Sequence, residues 1–342
     1  ARRKKWPTAN SPLREVFSGM RWLTNSENSP HNSYRCGNNW LKAKMDIFYG
    51  RVTDSMAHVY ARVGRSGPDD ARTVSGWIHG PLCTLSHTLP ATIALRDMGT
   101  GPTLLGAAAV PDPCFWSPHL PALYDVHVEL REESRVVTTY DQTIGIRRLG
   151  AAGRNLLWEG KRWVLRGVGS QRRISLAEPV DQYVATFRDA SAAMVLVDPV
   201  ESICCRASQA GVVVIAQLTD PANIEKQLTE LGRLGSVAVV ILPTDIAVSD
   251  PALHNAAPNL LLAQYFHAET AVNAADWADL VVCQVSEPAR FHDAVAACPL
   301  PIVAQRQLNE TGSVAEARNE CDRIQRDLAP AGDYAGYLIT QL

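Results

Sequence analysis

A short apolar run that ends abruptly in polar residues constrains the fold of this chain more than any other feature. Residues 236–245 read SVAVVILPTD, with Gly235 directly before them. The run is rich in β-branched residues, which is typical of a strand buried on both faces in a parallel sheet covered by helices. The polar pair Thr244 and Asp245 follows where such a strand would end.

Similar apolar runs alternate with helical patterns as far as the end of the chain. Helical patterns lie between them, for example at 199–210, 222–234 and 313–328. This rhythm predicts a reduced (β/α)₈ barrel over residues 151–342. Chemistry in such barrels lies at the C-terminal ends of the strands, which is the place of Thr244 and Asp245. The predicted strands are 163–168, 193–197, 212–216, 237–242, 260–263, 280–283, 302–304 and 336–339.

The region before the barrel has a different pattern. Residues 43–150 contain short runs such as 124–130, in which apolar and polar side chains alternate. Glycine and proline separate these runs at frequent intervals. Such a pattern predicts an antiparallel β-sandwich. Residues 1–42 are polar with scattered tryptophans and are predicted to form an extended arm.

Composition excludes several classes of protein. The 342 residues have a formal net charge of −2, so no nucleic-acid partner is expected. No apolar run is as long as a membrane span, and no apolar segment follows the basic start as in a secretory signal. A cytoplasmic location is therefore expected. The sequence does not predict an oligomeric state.

Neither a metal nor a cofactor is expected. The eight cysteines form no CxxC pair, and the histidines show no paired spacing typical of metal ligands. No glycine-rich dinucleotide or phosphate loop is present. Most of the cysteines are interpreted as small buried hydrophobic residues in a reducing compartment, with one or two disulfides as the alternative.

Three segments resemble glycoside hydrolase family two, which includes β-galactosidases, β-glucuronidases and β-mannosidases. They are Phe115–Tyr124 (FWSPHLPALY), Ile144–Arg147 (IGIR) and Leu156–Val168 (LLWEGKRWVLRGV). Their order and spacing are similar to those of the family over residues 45 to 342. The resemblance implies an immunoglobulin-like β-sandwich at 43–150 followed by the barrel at 151–342.

The chain departs from the family where the resemblance implies sugar contacts and catalysis. The first strand continues to Gln171 without the family's Asn-Arg-His, and Asp198 ends the second strand where the family has sugar-contacting residues. The fourth strand, which carries the family's acid/base glutamate, ends in Thr244 and Asp245. The seventh strand has Arg306 at the position that the resemblance assigns to the nucleophile.

These departures bear directly on glycosidase chemistry. A retaining glycosidase needs two carboxyl groups about 5–5.5 Å apart. Asp245 could still act as an acid, but Arg306 cannot be a nucleophile, because a guanidinium stays charged and offers no lone pair. Arg306 beside Asp245 would instead hold that carboxylate ionised.

Other carboxylates could supply the missing partner. Asp198, Glu287 and Glu310 each follow a predicted barrel strand. Asp198 is equally well placed to cap the next helix. Glu310 is equally well placed to interact favourably with the positive N-terminal end of the helix that begins near residue 313.

Three functions follow from these observations. The leading hypothesis is a non-catalytic binding or interaction protein that has lost the family's catalytic glutamates, with a carbohydrate or a protein as partner. Its binding candidates are Gln171, Asp198, Thr244, Glu287 and Glu310. One alternative is an active β-glycosidase that uses Asp245 with another carboxylate. The other is a structural subunit of a larger assembly. Enzymatic activity is left open, and the lost glutamates weigh against it.

Overall fold

The protein contains an antiparallel β-sandwich followed by an eight-stranded parallel barrel with helices, so the predicted fold class is confirmed. The predicted arm at 1–42 lies outside the residues that the structure describes. The structure is a computed structural model that describes residues 45–65, 70–99, 101–170, 179–243, 246, 250–256, 258–267, 272–285, 288–309, 312–330 and 332–341.

The sandwich consists of seven strands in the order β1-β2-β5-β4-β3-β6-β7, all paired antiparallel. β4 pairs with β3 along most of its length and with β5 at Arg96 and Asp97, so it joins the two layers. One layer contains β1, β2 and β5, and the other contains β3, β6 and β7. The strands are β1 Met45–Val52, β2 Met56–Gly64, β3 Thr73–Leu82, β4 Ala91–Asp97, β5 Thr103–Pro111, β6 Leu123–Glu132 and β7 Arg135–Ile144.

A buried tyrosine fixes the turn between β5 and β6. The Tyr124 phenol oxygen accepts a hydrogen bond from the Cys114 backbone N–H at 2.8 Å and lies 3.3 Å from the Cys114 carbonyl oxygen, to which it donates. Burial raises the pKa of Tyr124 to about 12, so the phenol keeps its proton. A tyrosine at the start of this strand that bonds to upstream backbone is a hallmark of immunoglobulin-like sandwiches.

A small sheet lies between the sandwich and the barrel. It consists of β8 Leu149–Ala152, β9 Asn155–Trp158 and β10 Lys161–Trp163. Trp158 packs against Trp116 of the sandwich and Trp163 of β10, at ring-centroid distances of 6.0 and 5.0 Å. These rings share one apolar cluster with interior residues of the barrel, so the sheet closes the barrel's N-terminal end. The first barrel strand consequently begins at Leu165 rather than at the predicted residue 163.

The barrel closes by pairing its last strand with its first. Its strands are β11 Leu165–Ser170, β12 Ala193–Val197, β13 Val214–Gln217, β14 Val237–Leu242, β15 Leu261–His267, β16 Leu280–Gln284, β17 Ile302–Leu308 and β18 Gly336–Gln341. The described helices are α1 Val180–Asp189, α2 Glu201–Ala210, α3 Ile224–Gly232, α4 Asp250–Ala256, α5 Pro288–Val295 and α6 Val314–Leu328. Residues 272–279, before β16, contain no helix. None of the described helices is long and apolar enough to cross a membrane.

Side chains along the barrel strands alternate between two apolar clusters, except at Ala238 and Val239 of β14, which both belong to the interior cluster. Val195, Ile215 and Val282 belong to the interior cluster, whereas Met194 and Val281 pack outside against the helices. This alternation follows from the two-residue period of a strand. It therefore determines which polar side chains at the strand ends face the barrel mouth.

The cysteines are mostly small buried residues, as predicted. Cys204, Cys283, Cys298 and Cys321 are buried free thiols. Burial raises the pKa of Cys204 and of Cys283 to about 12, so both thiols stay protonated at neutral pH. Cys205 departs from this interpretation, because it is disulfide-bonded.

A buried arginine joins the sandwich to the barrel. Arg147 is 3% exposed, and its Nη1 donates to the carbonyl oxygens of Gly235, at 2.7 Å, and of Val237. Its Nη2 donates to the Asn259 carbonyl oxygen at 3.1 Å. These carbonyls lie at the starts of β14 and β15. Arg147 therefore anchors the sandwich to the N-terminal end of the barrel.

Two further contacts bring the sandwich and the barrel close together at this junction. Trp116 Nε1 donates to the Ser208 carbonyl oxygen at 2.8 Å. A Cβ atom on Gly145 would lie 3.0 Å from the Gly235 Cα, closer than ordinary van der Waals contact. The segments that resemble the hydrolase family thus carry the contact between the two parts of the chain.

We expect Arg147→Met to lower the free energy of unfolding by about 2–4 kcal/mol, because buried carbonyl groups lose their hydrogen-bond donor. The measurement is urea unfolding followed by tryptophan fluorescence. Arg148→Met is the matched control, since its side chain is 37% exposed and pairs with an 86% exposed Asp54. Such a surface pair contributes about 0–1 kcal/mol. Equal losses in the two variants would show that Arg147 does not anchor the junction.

Candidate binding site at the barrel mouth

The inward-facing side chains at the C-terminal ends of the strands line a cavity of about 290 Å³. Gln217 ends β13, Gln284 ends β16, and Gln305 and Gln307 lie near the end of β17. Tyr265 and His267 come from β15. The complete described lining is Val197, Gln217, Thr219, Tyr265, His267, Gln284, Gln305 and Gln307. The cavity thus occupies the place where (β/α)₈ barrels carry their chemistry.

The described lining is polar but carries no carboxylate, lysine or arginine. Four of its side chains are glutamine amides, each of which has a carbonyl oxygen that accepts hydrogen bonds and an NH₂ group that donates them. One phenol, one imidazole and one hydroxyl add to this set. The arrangement suits a ligand that both donates and accepts hydrogen bonds.

Neighbouring strands hold these side chains in place. Tyr265 donates its hydroxyl hydrogen to Gln284 Oε1 at 3.1 Å, and His267 Nδ1 lies 2.9 Å from the same oxygen. Burial, followed by the nearby Cys283, raises the pKa of Tyr265, which keeps the phenol protonated as a donor. On the next strands, Gln305 Nε2 donates to Thr340 Oγ1 at 3.0 Å.

Asp198 lies at the rim of the mouth but does not line the cavity. Its carboxylate accepts hydrogen bonds from the Thr219 backbone N–H at 3.0 Å and from the Thr219 hydroxyl at 2.5 Å. Helix α2 begins after Val200 without a side-chain cap, so Asp198 does not cap it. The carboxylate therefore positions Thr219, which does line the cavity.

Arg306 lies on the outer face of the barrel. Its neighbours at alternate positions, Ala304 and Leu308, pack with the outer cluster, while Gln305 and Gln307 line the mouth. Its Nη2 forms an ion pair with Asp327 Oδ2 of α6 at 2.9 Å. Asp327 is thus the partner of Arg306 among the described residues, and Arg306 is not among the described residues that line the cavity, whereas its pairing with Asp245 stays a prediction.

The remaining sequence candidates lie outside the described residues. They are Gln171, Thr244, Asp245, Glu287 and Glu310. Their roles stay predictions. Strand β14, which precedes Thr244 and Asp245, ends at Leu242. Within the described residues, no group of three or more histidine, cysteine or acidic side chains is arranged to hold a metal ion.

None of the described residues that line the cavity was predicted from the sequence as a site residue. A signal for them was present, because three predicted strands lead from an apolar run directly into glutamine: Gln217, Gln284 and Gln305. The same residue type at the same end of three strands of one barrel indicates a shared polar surface. Tyr265 and His267 lie beyond the predicted end of their strand, which extends to His267 instead of residue 263.

Double-mutant cycles test the position of Arg306. We expect Arg306→Ala and Asp327→Ala to show a coupling of about 0.2–1 kcal/mol in unfolding free energy, as for an exposed ion pair. Arg306→Ala and Asp245→Ala should be additive, because their side chains would lie on different faces. Urea unfolding of the single and double variants provides the measurement. Coupling of Arg306 to Asp245 but not to Asp327 would place the guanidinium in the mouth.

Part of the sandwich matches a known family. Residues 84–147, which include β4 to β7, match the family model of glycosyl hydrolases family 2. Comparison with curated protein sequences finds no match.

The fold matches solved β-glucuronidases. The Ruminococcus gnavus enzyme, in complex with C6-substituted uronic isofagomine, is 13% identical with a TM-score of 0.64, over 86% of this chain and 60% of that one. The Bifidobacterium dentium enzyme, complexed with coumarin-3-O-glucuronide, is 15% identical with a TM-score of 0.61, over 86% of this chain and 59% of that one. Bacteroides uniformis β-glucuronidase 2 is 13% identical with a TM-score of 0.59, over 86% of this chain and 45% of that one.

These three comparisons relate the chain to only part of larger proteins. The chain spans between 45% and 60% of the length of the three structures. At such low identities the similarity establishes the fold and leaves the chemistry of the mouth open. The chain therefore has the sandwich and barrel fold of these β-glucuronidases, with its match to glycosyl hydrolases family 2 located in the sandwich.

Proposed function

We propose that this protein is a relative of the family 2 glycosyl hydrolases that binds carbohydrate at its barrel mouth without cleaving a glycosidic bond. The observation that carries the proposal is the amide-rich lining of the cavity, in which the described residues include no carboxylate. The fold of the chain and the family 2 match in its sandwich support a carbohydrate as the ligand.

The chemistry of the lining suits sugar hydroxyl groups. Each hydroxyl donates one hydrogen bond and accepts others, and glutamine amides complement both roles. Tyr265 adds an aromatic ring with a polar edge. The cavity of about 290 Å³ is near the lower end of the range for small-ligand sites, so the ligand we propose is one small sugar unit.

The lining supports hydrolysis less well than it supports binding without cleavage. Retaining and inverting glycosidases both place two carboxyl groups around the scissile bond. The described lining supplies neither of them, and Arg306 pairs with Asp327 outside the mouth. Hydrolysis would therefore have to rely on Asp245 with Asp198, Glu287 or Glu310.

The test combines binding and turnover. Isothermal titration with methyl β-glycosides should show binding of a neutral sugar, and Gln307→Leu should weaken it by about tenfold, because it removes hydrogen bonds worth about 1–1.5 kcal/mol. Gln182→Leu is the matched control, since Gln182 is exposed on α1, outside the barrel. Failure of every sugar to bind would refute the proposal.

Turnover separates binding from catalysis. We expect no hydrolysis of aryl β-glycosides above the rate of the buffer. If hydrolysis occurs and Asp245→Asn abolishes it, the protein is an active β-glycosidase and the non-catalytic proposal is wrong.

A further inference from the structure

We propose that Gln284 sets the specificity of the mouth by holding His267 in the tautomer that carries its proton on Nδ1. His267 Nε2 then presents a lone pair to the cavity. The identity of the ligand rests on the proposed function, whereas the tautomer can be tested without any ligand.

The three residues of this group lie side by side. His267 of β15 and Gln284 of β16 are direct partners in the strand register, and Tyr265 lies two residues earlier on β15. The Tyr265 and His267 rings meet edge to face, with centroids 5.3 Å apart and an interplanar angle of 90°. All three side chains line the cavity. The imidazole is thus held by a ring contact and by a hydrogen bond.

The direction of the hydrogen bonds follows from what each atom can do. Gln284 Oε1 is a carbonyl oxygen and can only accept, and it has two lone pairs. The Tyr265 hydroxyl at 3.1 Å donates to one of them, so Nδ1 of His267 at 2.9 Å donates to the other. A neutral imidazole carries a single proton, which leaves Nε2 as an acceptor. Neither hydrogen of the Gln284 amide group is used in a hydrogen bond to the described residues.

This arrangement places donors beside acceptors. The Gln284 NH₂ group donates, while His267 Nε2 and the Tyr265 phenol oxygen accept. A pair of neighbouring sugar hydroxyls matches such a set, because one hydroxyl can donate to the imidazole while the other accepts from the amide. A carboxylate is an acceptor only and would meet the lone pair of Nε2 unfavourably. We therefore infer that the mouth takes an uncharged vicinal diol in preference to a uronate.

The first test is the tautomer itself. In ¹⁵N-histidine-labelled protein at alkaline pH, where imidazole is neutral, long-range ¹H–¹⁵N spectra distinguish protonated from unprotonated ring nitrogens. The signal that disappears in His267→Gln identifies the residue. We expect the Nδ1–H form in the wild type. Gln284→Met should convert it to the Nε2–H form, which an unconstrained histidine side chain favours.

A matched variant controls for indirect effects. Gln217→Met makes the same chemical change on β13, which pairs with neither β15 nor β16, and should leave the His267 spectrum unchanged. Urea unfolding checks that each variant folds. An Nε2–H form in the wild type would overturn the inference, because Gln284 would then donate to Nδ1 through its NH₂ group. An unchanged tautomer in Gln284→Met would overturn it as well.

The second test concerns the ligand. Titration should show that methyl β-glucoside binds at least tenfold more tightly than its glucuronate counterpart, and that Gln284→Met removes most of this preference. Tighter binding of the glucuronate would overturn the inferred ligand class. If no sugar binds but the tautomer changes as expected, the role of Gln284 is supported and only the proposed function fails.

Discussion

The buried guanidinium of Arg147 is the interaction on which the arrangement of the chain depends. Burying a charge is costly unless hydrogen bonds replace its water, and here three backbone carbonyls do so. Two of them, those of Gly235 and Val237, follow the C-terminal end of α3, where the helix dipole favours positive charge. This junction lies at the N-terminal end of the barrel, so the described residues of the sandwich do not cover the opposite end, the mouth. The family resemblance rests largely on this junction, so the same residues can identify the fold without defining what the mouth does.

The sequence predicts the barrel strands well because they are buried on both faces. For β14 the predicted bounds, 237–242, equal the observed ones, and all of its residues are buried. For the same reason the sequence does not show which residues face inward, because a strand that is apolar on both faces has no alternation of polar and apolar residues. In β17 the polar end follows such a run, and the sequence therefore leaves open whether Gln305 or Arg306 faces the mouth. Closure of the barrel decides this, since it places Val303 in the interior cluster and Gln305 two residues later on the same face.

The small sheet is a second feature that the sequence does not predict. Residues 156–168 resemble the entry to the first barrel strand, with Glu159 in a turn, but they also form the paired strands β9 and β10 before that strand begins. Glu159 and Gly160 both have positive φ angles, 50° and 76°, and Trp158 pairs with Lys161 across them. Two positive φ values between paired residues are typical of the tight hairpin turns that suit the twist of a sheet. A glutamate is an unusual residue at a position with positive φ. The tertiary packing of Trp158 and Trp163 over the end of the barrel supports the turn.

No carboxylate, lysine or arginine is among the described residues that line the mouth, and this composition shapes what the mouth can recognise. Arg306 pairs with Asp327, and Arg166 pairs with Asp322, on the side where α6 packs. A charge in the mouth would lose water on ligand binding and would need a charged partner. Dehydrating an amide costs less free energy than dehydrating a charged group. Amides select a ligand, however, only if their donors and acceptors point in fixed directions. The bonds of Gln284 to Tyr265 and of Gln305 to Thr340 supply those directions. Selectivity at such a mouth therefore depends on the orientation of hydrogen bonds between neighbouring strands, which the closed barrel holds in register.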